Sequence, residues 1–356
     1  MLDYGRLLEK ALAENHGAEF RFSLRAPDTS RSAAWLRRWK RGRGLAMYGS
    51  RYVLYPRLAR RESADVYHIL DHGNASLIRY LDPARTVVTC HDLIPLIFSR
   101  EGTSLWPWLS RRMLQEAMSG IAKAGCVAAD SSSTRRDLIE RLGLRPDKIH
   151  VVPLGIDEEL RPPSPEERKA ARESFGFARD EAVLVHAGQN ASYKNLEGLL
   201  SIFQLLAQRG QPVLLARAGV RFSAIQSRHA VKLGVEKRVR DLGPLPRERL
   251  RQLYHAADLL VYPSWYEGFG FPPLEAMACG LPAAVSNRGS LPEIVGDAAL
   301  IADPADPAHF ADAAEKILRD PALQAELRKK GFAQAAKFRW KETAARMGSI
   351  YRSLLA

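Results

Sequence analysis

The sequence predicts an α/β protein with two Rossmann-like domains, each built on a doubly wound parallel sheet. Three observations lead to this prediction. The chain has 356 residues, which is long for one compact core. Short apolar runs alternate with helical segments, as in βαβ units whose sheet is covered on both faces. The proline-rich stretch "LRPPSPEER" at 160–168 predicts a linker between the domains, in the region of residues 156–170.

The second half of the chain has the clearer alternation. Its predicted strands lie at 182–188, 212–219, 239–243, 258–264, 281–287 and 298–303. The first half is looser, and its candidate strands lie at 19–24, 65–70, 85–92, 125–131 and 148–155. A helix is predicted over 2–14, where a doubly wound domain ordinarily has a strand and a loop first. We therefore expect that the first strand is missing from this domain or lies upstream.

Composition fits a soluble cytoplasmic protein. No run approaches the roughly 20 apolar residues of a membrane span, and charges within the first twelve residues argue against a signal peptide. The three cysteines are far apart in apolar surroundings, which favours buried thiols over a metal site or disulfides.

The net charge of +13 is unevenly distributed. Residues 31–61 contain ten basic side chains, no acidic one, and interleaved tryptophan, tyrosine and leucine. Such a stretch suits an anionic membrane surface, but solvated helices beside the core are an equally simple interpretation. A nucleic-acid patch is a weaker alternative, because no recognised nucleic-acid motif accompanies the charge.

The segment "DLLVYPSWYEGFGFPPLEAMACG" at 258–280 predicts a strand, a loop and a helix. Glycines in the loop let the backbone approach a ligand closely. Two prolines suit the first helical turn, where their missing N–H groups cost nothing. The helix start adds partial positive charge, so this loop is a candidate anion cradle.

Two carboxylates flank this cradle: Glu267 on the loop, and Glu275, which we expect in the first helical turn. Ionised carboxylates only accept hydrogen bonds and would repel a phosphate. They make sense if they bind hydroxyl groups on either side of it, which predicts a nucleotide-sugar diphosphate as ligand. The alternative is structural, with Glu275 at the helix dipole and Glu267 in a turn.

The same segment resembles the E-x7-E motif of the retaining GT-B-fold glycosyltransferases of family 4. Other stretches match that family in order, namely "HDLIPL" (91–96), "DSSSTRRDLIERLGL" (130–144), "HVVPLGID" (150–157), "HAGQNASYKNLEGLL" (186–200) and "SNRGSLPE" (286–293). The resemblance implies an acceptor-binding domain at 1–160, a donor-binding domain at 161–337 facing it across a cleft, and a helix at 338–356 that packs back on the first domain.

The resemblance also implies a role for each matching residue. Glu267, His91 and Lys194 would line the reaction centre, with Lys194 neutralising the diphosphate and Glu267 contacting the donor sugar. Glu275 would bind the ribose hydroxyls, and the base would stack near Gly243, Pro244 and Leu245. The remaining donor residues would be Gly188, Gln189, Ser264, Gly268, Phe269, Gly270 and Phe271. On the acceptor side lie His91, Asp92 and Ser131, the last also a simple helix N-cap.

One residue departs from the family pattern. Many relatives have an arginine where this chain has Gln189, so one cation for the diphosphate is absent. Arg288, Arg217 and Arg221 are candidate replacements, although the sequence favours a solvated position for each. Lys194 precedes a predicted helix start at Asn195, where a cation is disfavoured by the helix dipole unless it serves an anion.

We therefore expect a metal-independent hexosyltransferase that transfers a sugar with retained configuration. The donor would be GDP-mannose-like or a UDP-sugar. The acceptor would be a glycan or a lipid-linked sugar in cell-surface polysaccharide, O-antigen or glycolipid assembly. No cofactor and no nucleic acid are expected, and the enzyme would lie in the cytoplasm or on the inner face of the membrane. The alternative function is a donor-binding but inactive partner of another glycosyltransferase. The sequence does not identify the sugar or the base.

Overall fold

The structure is a computed structural model that describes residues 2–26, 49–98 and 107–356. The chain forms two compact units, residues 1–155 with 340–356, and residues 156–339. The sequence placed these divisions after residues 160 and 337. Each unit is described by itself below.

Ten strands and fourteen α-helices occur in the described residues. The strands are β1 (Tyr67–Ile69), β2 (Thr86–Cys90), β3 (Cys126–Ala129), β4 (Ile149–Val151), β5 (Ala182–Gly188), β6 (Val213–Gly219), β7 (Val239–Gly243), β8 (Leu259–Tyr262), β9 (Ala283–Ser286) and β10 (Leu300–Ala302). The helices are α1 (Leu2–His16), α2 (Tyr55–Ala59), α3 (Ile94–Ile97), α4 (Pro107–Lys123), α5 (Ser132–Leu142), α6 (Pro165–Phe175), α7 (Leu196–Gln208), α8 (Ala224–Lys232), α9 (Arg247–Ala256), α10 (Phe271–Ala278), α11 (Leu291–Val295), α12 (Pro307–Arg319), α13 (Pro321–Ala335) and α14 (Trp340–Leu355). None of the helices in these described ranges is long and apolar enough to cross a bilayer.

The first unit contains a parallel sheet in the order β1-β2-β3-β4. Its central strand β2 is buried at every position, as expected for a parallel sheet with both faces covered. Because β2 and β3 pair in parallel, their carboxyl ends meet at one edge of the sheet. His91 follows β2 and Asp130 follows β3, so these two polar residues are brought together there.

The last helix, α14, completes the first unit, as the sequence predicted. Leu8 and Leu12 of α1 share a buried apolar cluster with Met347 and Tyr351 of α14. The cluster also includes Val87 of β2, so the two terminal helices cover one face of the sheet.

The strand predicted at 19–24 is wrong. The segment forms no ladder with another strand in the described residues. Its alternating aromatic residues instead pack against the last helix: the rings of Phe20 and Phe22 lie 6.2 and 6.3 Å from the Tyr351 ring. The aromatic residues at every second position therefore pack against a helix here, and the segment does not pair as a strand.

The second unit contains a six-stranded parallel sheet in the order β10-β9-β8-β5-β6-β7. Strand β5 lies in the middle, with β6 on one side and β8 on the other. The strand order reverses at this point, because the chain continues from β5 to β6 on one side and from β8 to β9 on the other. Such a switch point at the carboxyl ends of parallel strands is where open α/β sheets bind ligands.

Candidate active site

A buried ion pair occupies the switch point of the second sheet. The Lys194 ammonium donates hydrogen bonds to both carboxylate oxygens of Glu267, over 2.7 and 2.9 Å, and to the Tyr262 hydroxyl over 2.8 Å. Both charged side chains are less than a tenth exposed. Two sequence predictions, Lys194 and Glu267, thus meet although 73 residues separate them.

Local structure fixes Lys194 at this point. It ends a short 3-10 turn, and Asn195 follows in the left-handed conformation with φ 53°. The Asn195 side chain caps α7 by accepting from the Gly198 N–H. Its amide group also donates to the Pro263 and Pro304 carbonyls, which follow β8 and β10. One asparagine therefore joins the loop after β5 to two other strand ends.

The loop that carries Glu267 is held from two sides. The Trp265 N–H donates to the Tyr193 carbonyl over 2.8 Å. On the other side, the Ser290 N–H donates to the Glu267 carbonyl, and the Ser290 hydroxyl lies 3.1 and 2.6 Å from the Glu267 and Phe269 carbonyl oxygens. Gly289 packs so closely on the Glu267 backbone that a side chain there would collide with it. These contacts fix the direction of the Glu267 side chain.

Ser264 opens the same loop and is fully buried. Its hydroxyl has no hydrogen-bond partner among the described residues. A buried unsatisfied hydroxyl is costly and points to a water molecule or a ligand group at this position.

Helix α10 begins directly after the loop, at Phe271. Its N-cap, Gly270, has φ 108°, a conformation that favours glycine. Pro272 and Pro273 occupy the first turn as predicted and have no N–H, so Gly270 and Phe271 supply the amide N–H groups at this helix start. The Phe269 ring is buried, with the half-exposed Phe271 ring 5.0 Å from it.

Glu275 lies in the second turn of α10, which corrects the first-turn position that the sequence predicted. The helix starts at Phe271, one residue before the two prolines, so Glu275 is its fifth residue. Its carboxylate accepts a hydrogen bond from the Tyr254 hydroxyl over 3.0 Å. Burial raises the pKa of Glu275, although the Tyr254 hydrogen bond and the charge of Arg247 act against this rise.

Strand β5 ends in Gly188, next to the ion pair. A side chain on Gly188 would meet the Lys194 Cε and His186 Cε1 atoms at 3.6 Å. The His186 ring is fully buried and stacks on the Tyr262 ring at 5.2 Å. Burial and the charges of Arg217 and Lys194 hold the pKa of His186 well below its usual range, so His186 is neutral. Gln189 follows with an exposed side chain.

The three candidate replacement cations differ in their surroundings. Arg288 is half-exposed and pairs with Asp303. Arg221 is exposed. A side chain on Gly243 would meet the Arg221 guanidinium at 3.1 Å, and Pro244 and Leu245 follow Gly243 in the chain. Arg217 is fully buried, so the solvated position that the sequence favoured is wrong for it.

In the first unit, His91 forms a short hydrogen bond with Asp130. Its Nδ1 lies 2.6 Å from the Asp130 carboxylate, and its Nε2 donates to the Leu70 carbonyl over 3.0 Å. Burial disfavours the charge on His91, but the charge and hydrogen bond of Asp130 outweigh burial and raise the pKa of His91 to about 9. Both ring nitrogens are therefore occupied by neighbours within this unit.

Asp92 and Ser131 have structural partners. The Asp92 carboxylate accepts from the Ile94 N–H over 2.9 Å at the start of α3. Ser131 is the N-cap of α5 and accepts from the Thr134 N–H over 3.0 Å. The sequence offered the N-cap role of Ser131 as its simpler interpretation.

The basic stretch 31–61 is only partly described, since residues 31–48 lie outside the described residues. Arg51 donates to the Met113 carbonyl over 3.1 Å. Arg60 lies over the Tyr80 ring at 4.6 Å. On helix α4, Trp108 is 66% exposed. Within the described parts of the chain, no three histidine, cysteine or acidic side chains are grouped to hold a metal ion.

Comparison with known proteins agrees with this architecture. Residues 10–160 match the family described as "Glycosyltransferase Family 4", and residues 167–334 match "Glycosyl transferases group 1". The chain is 32% identical over 309 residues to O-antigen chain mannosyltransferase B of Escherichia coli, covering 85% of this chain and 79% of that protein. This chain belongs to glycosyltransferase family 4.

Solved structures place this family 4 glycosyltransferase in the GT-B fold. WaaG, a glycosyltransferase involved in lipopolysaccharide biosynthesis, superposes with a TM-score of 0.73 at 16% identity, covering 98% of this chain and 95% of WaaG. Anabaena Alr3699/HepE in complex with UDP and glucose superposes with a TM-score of 0.71 at 21% identity, covering 84% and 80%.

Sequence reasoning missed four residues of this glycosyltransferase site. Tyr262 and Tyr254 are the hydroxyl partners of Lys194 and Glu275, Ser290 holds the Glu267 loop, and His186 packs beneath Gly188. Ser290 lies within the "SNRGSLPE" match and His186 begins the "HAGQNASYKNLEGLL" match, but neither match assigned these residues a role. The tyrosines read as ordinary strand or helix residues, because their role depends on which strands are neighbours.

Proposed function

We propose that this enzyme is a retaining hexosyltransferase that transfers a sugar from a nucleoside-diphosphate sugar to an acceptor hydroxyl. The observation that carries the proposal is the buried contact of Lys194 with Glu267 and Tyr262 at the switch point of the second sheet. Burying an ion pair costs desolvation free energy and often adds little stability. Its location where α/β proteins bind ligands therefore favours a functional role.

The donor would lie along the carboxyl edge of the second sheet. Its diphosphate would meet the amides of Gly268 to Phe271 and the positive end of α10, whose first turn contains two prolines. The Lys194 ammonium would exchange one of its hydrogen bonds to Glu267 for a hydrogen bond to the diphosphate. The hydroxyl of Ser264, which lacks a partner in the described residues, would gain one.

The two glutamates would bind hydroxyl groups on either side of this diphosphate. Glu275 would accept from the ribose, held in place by the Tyr254 hydroxyl. Glu267 would accept from the sugar and lie beside the positive charge that develops on the anomeric carbon. Both roles favour the ionised carboxylate, which is an acceptor only, because protonation turns one of its oxygens into a donor.

In the transfer step, the bond between the anomeric carbon and the phosphate oxygen would break, and its electron pair would leave with the nucleoside diphosphate. Lys194 and the loop amides would stabilise this leaving group without a metal ion. The acceptor oxygen would form its bond on the same face, which retains the configuration, and the proton of the acceptor hydroxyl would pass to an oxygen of the departing diphosphate. His91 and Asp92 would serve the acceptor side, with His91 held as a cation by Asp130.

A mannosyl donor such as GDP-mannose is the first candidate, because the relative that matches over 309 residues is named a mannosyltransferase. UDP-sugars are the second, because Alr3699/HepE binds UDP and glucose at 21% identity. The acceptor would be a glycan or lipid-linked sugar in cell-surface polysaccharide, O-antigen or glycolipid assembly. The basic stretch 31–61 and the exposed Trp108 suit a cytoplasmic enzyme that works at an anionic membrane surface.

A thermal-shift screen against UDP-, GDP-, ADP- and dTDP-sugars tests the donor class, followed by a transfer and hydrolysis assay with the sugar that stabilises the protein. Glu275→Ala should raise the donor KM and abolish most turnover, whereas Glu197→Ala, at an exposed glutamate of α7, should leave both unchanged. Normal donor kinetics in Glu275→Ala would contradict the proposal. Donor binding without transfer or hydrolysis would favour the inactive partner instead.

A further inference from the structure

Arg217 is a fully buried cation at the end of β6 that the proposed reaction does not use. A buried guanidinium is costly unless its donors are satisfied. Its Nη1 donates to the Val220 carbonyl, and its Nη2 donates to the Gly188 carbonyl over 3.2 Å. The nearest carboxylate oxygen, on Asp241 of β7, is 3.5 Å away. Arg217 therefore ties together the carboxyl ends of β5, β6 and β7.

The bond to Gly188 fixes the direction of the next amide. In a trans peptide the carbonyl and the following N–H lie in one plane and point in opposite directions. Because the Gly188 carbonyl points at Arg217, the Gln189 N–H points away from the buried guanidinium. Within the described residues that N–H donates to no other group. A guanidinium on the carbonyl also polarises the peptide and makes this N–H a stronger donor.

Gly219, which pairs with Gly188 in the sheet, leaves space for the Gly188 carbonyl because it has no side chain. Gly219 has φ 122°, and a side chain there would overlap the Gly188 carbonyl oxygen. On its other side Gly188 lies against the Lys194 side chain. The peptide that Arg217 orients and the Lys194 side chain therefore both adjoin Gly188.

We propose that Arg217 is a positioning residue for the donor diphosphate. It locks the peptide between Gly188 and Gln189 so that the Gln189 N–H binds a phosphate oxygen, and it provides positive potential from beneath the loop. It thereby takes over part of the task of the arginine that the family pattern has at position 189. This inference rests on the proposed function, because it concerns the same donor site.

The test uses the full chain and isothermal titration with UDP and GDP. Arg217→Lys keeps the charge, but a single ammonium cannot span two carbonyls as a guanidinium does. We expect the nucleoside diphosphate that binds the wild type to bind Arg217→Lys about tenfold more weakly, as for one lost charge-assisted hydrogen bond. The matching free nucleoside, measured by displacement, should keep its affinity. Adding Gln189→Arg should restore most of the diphosphate affinity.

Arg172 offers a matched control in the same unit. Its guanidinium also donates to backbone carbonyls, those of Glu181 and Ala256, and to Asp258, but at the amino ends of β5 and β8. Arg172→Lys should lower the melting temperature and leave diphosphate affinity unchanged.

Three results would overturn the inference: unchanged diphosphate affinity in Arg217→Lys, an equal loss for the free nucleoside, or no recovery on adding Gln189→Arg. A wild-type chain and an Arg172→Lys variant that bind neither UDP nor GDP would instead contradict the proposed function itself. The two failures are therefore distinguishable.

Discussion

The ion pair between Lys194 and Glu267 gives a prediction whose size follows from its burial. Lys194→Met removes the cation and leaves the Glu267 carboxylate, whose side chain is 8% exposed, with the Tyr262 hydroxyl as a polar neighbour. Breaking a buried pair by removing one partner costs about 3–5 kcal/mol. For a unit of residues 156–339, this corresponds to a melting temperature lower by roughly 6–20 °C.

A second variant separates the charge from the packing. Lys194→Met combined with Glu267→Gln removes both charges and keeps both side-chain volumes. Replacing a buried pair by neutral groups is often close to neutral for stability, so the double variant should regain at least half of the loss. Transfer activity should stay absent in both variants, because the double variant restores only the fold.

Scanning calorimetry of the full chain is the appropriate assay, since two units can unfold in separate transitions and a single midpoint would then mislead. The transition that Lys194→Met shifts belongs to the second unit. A loss below about 1 kcal/mol in the single variant would refute the buried-pair reasoning. So would a double variant as unstable as the sum of the two single variants.

Three further predictions concern pH and the membrane. Burial raises the pKa of Glu275, so donor KM should rise in mildly acidic solution, and Tyr254→Phe, which removes a bond to the carboxylate, should move that rise to higher pH in a KM–pH profile. The pKa of His91 is raised to about 9, so the stability that its charge provides is complete below pH 6.5 and is lost as pH rises through 9. Over this window the free energy of unfolding of the first unit should fall by up to about 3 kcal/mol, which lowers its melting temperature. Asp130→Asn should abolish this decrease, and a decrease that persists in the variant would show that other groups cause it. Arg111→Glu, on the exposed side of α4, should reduce co-sedimentation with anionic vesicles at low salt, and equal sedimentation would exclude this helix from membrane contact.

The sequence was sufficient for features that depend on local chemistry. Proline pairs, glycine turns and strand-like runs predicted α10 and all six strands of its sheet to within two residues, because backbone preference acts within a few residues. The helix start predicted at Asn195 lies one residue before α7 begins, and Asn195 is its N-cap. The family pattern then placed Glu267 and Lys194 in one site.

Other features depended on which strands become neighbours, and no local pattern contains that information. Tyr262 meets Lys194 only because β5 and β8 are adjacent in the sheet. Arg217 looked like a solvated arginine because its carbonyl partners leave no trace in the side-chain sequence. The error at 19–24 has a related cause, since the same alternation of aromatic residues suits a strand or a groove beside a helix.

The assignment of α14 to the first unit has a consequence for how the chain is made. Residues 156–339 are contiguous and can complete their own fold as soon as the ribosome has released them. The earlier segment must wait, because Met347 and Tyr351, which fill its apolar cluster, are translated after residues 156–339. Until then the newborn polypeptide exposes the surface beneath α14, which makes this interval of synthesis the one most open to chaperone capture or aggregation.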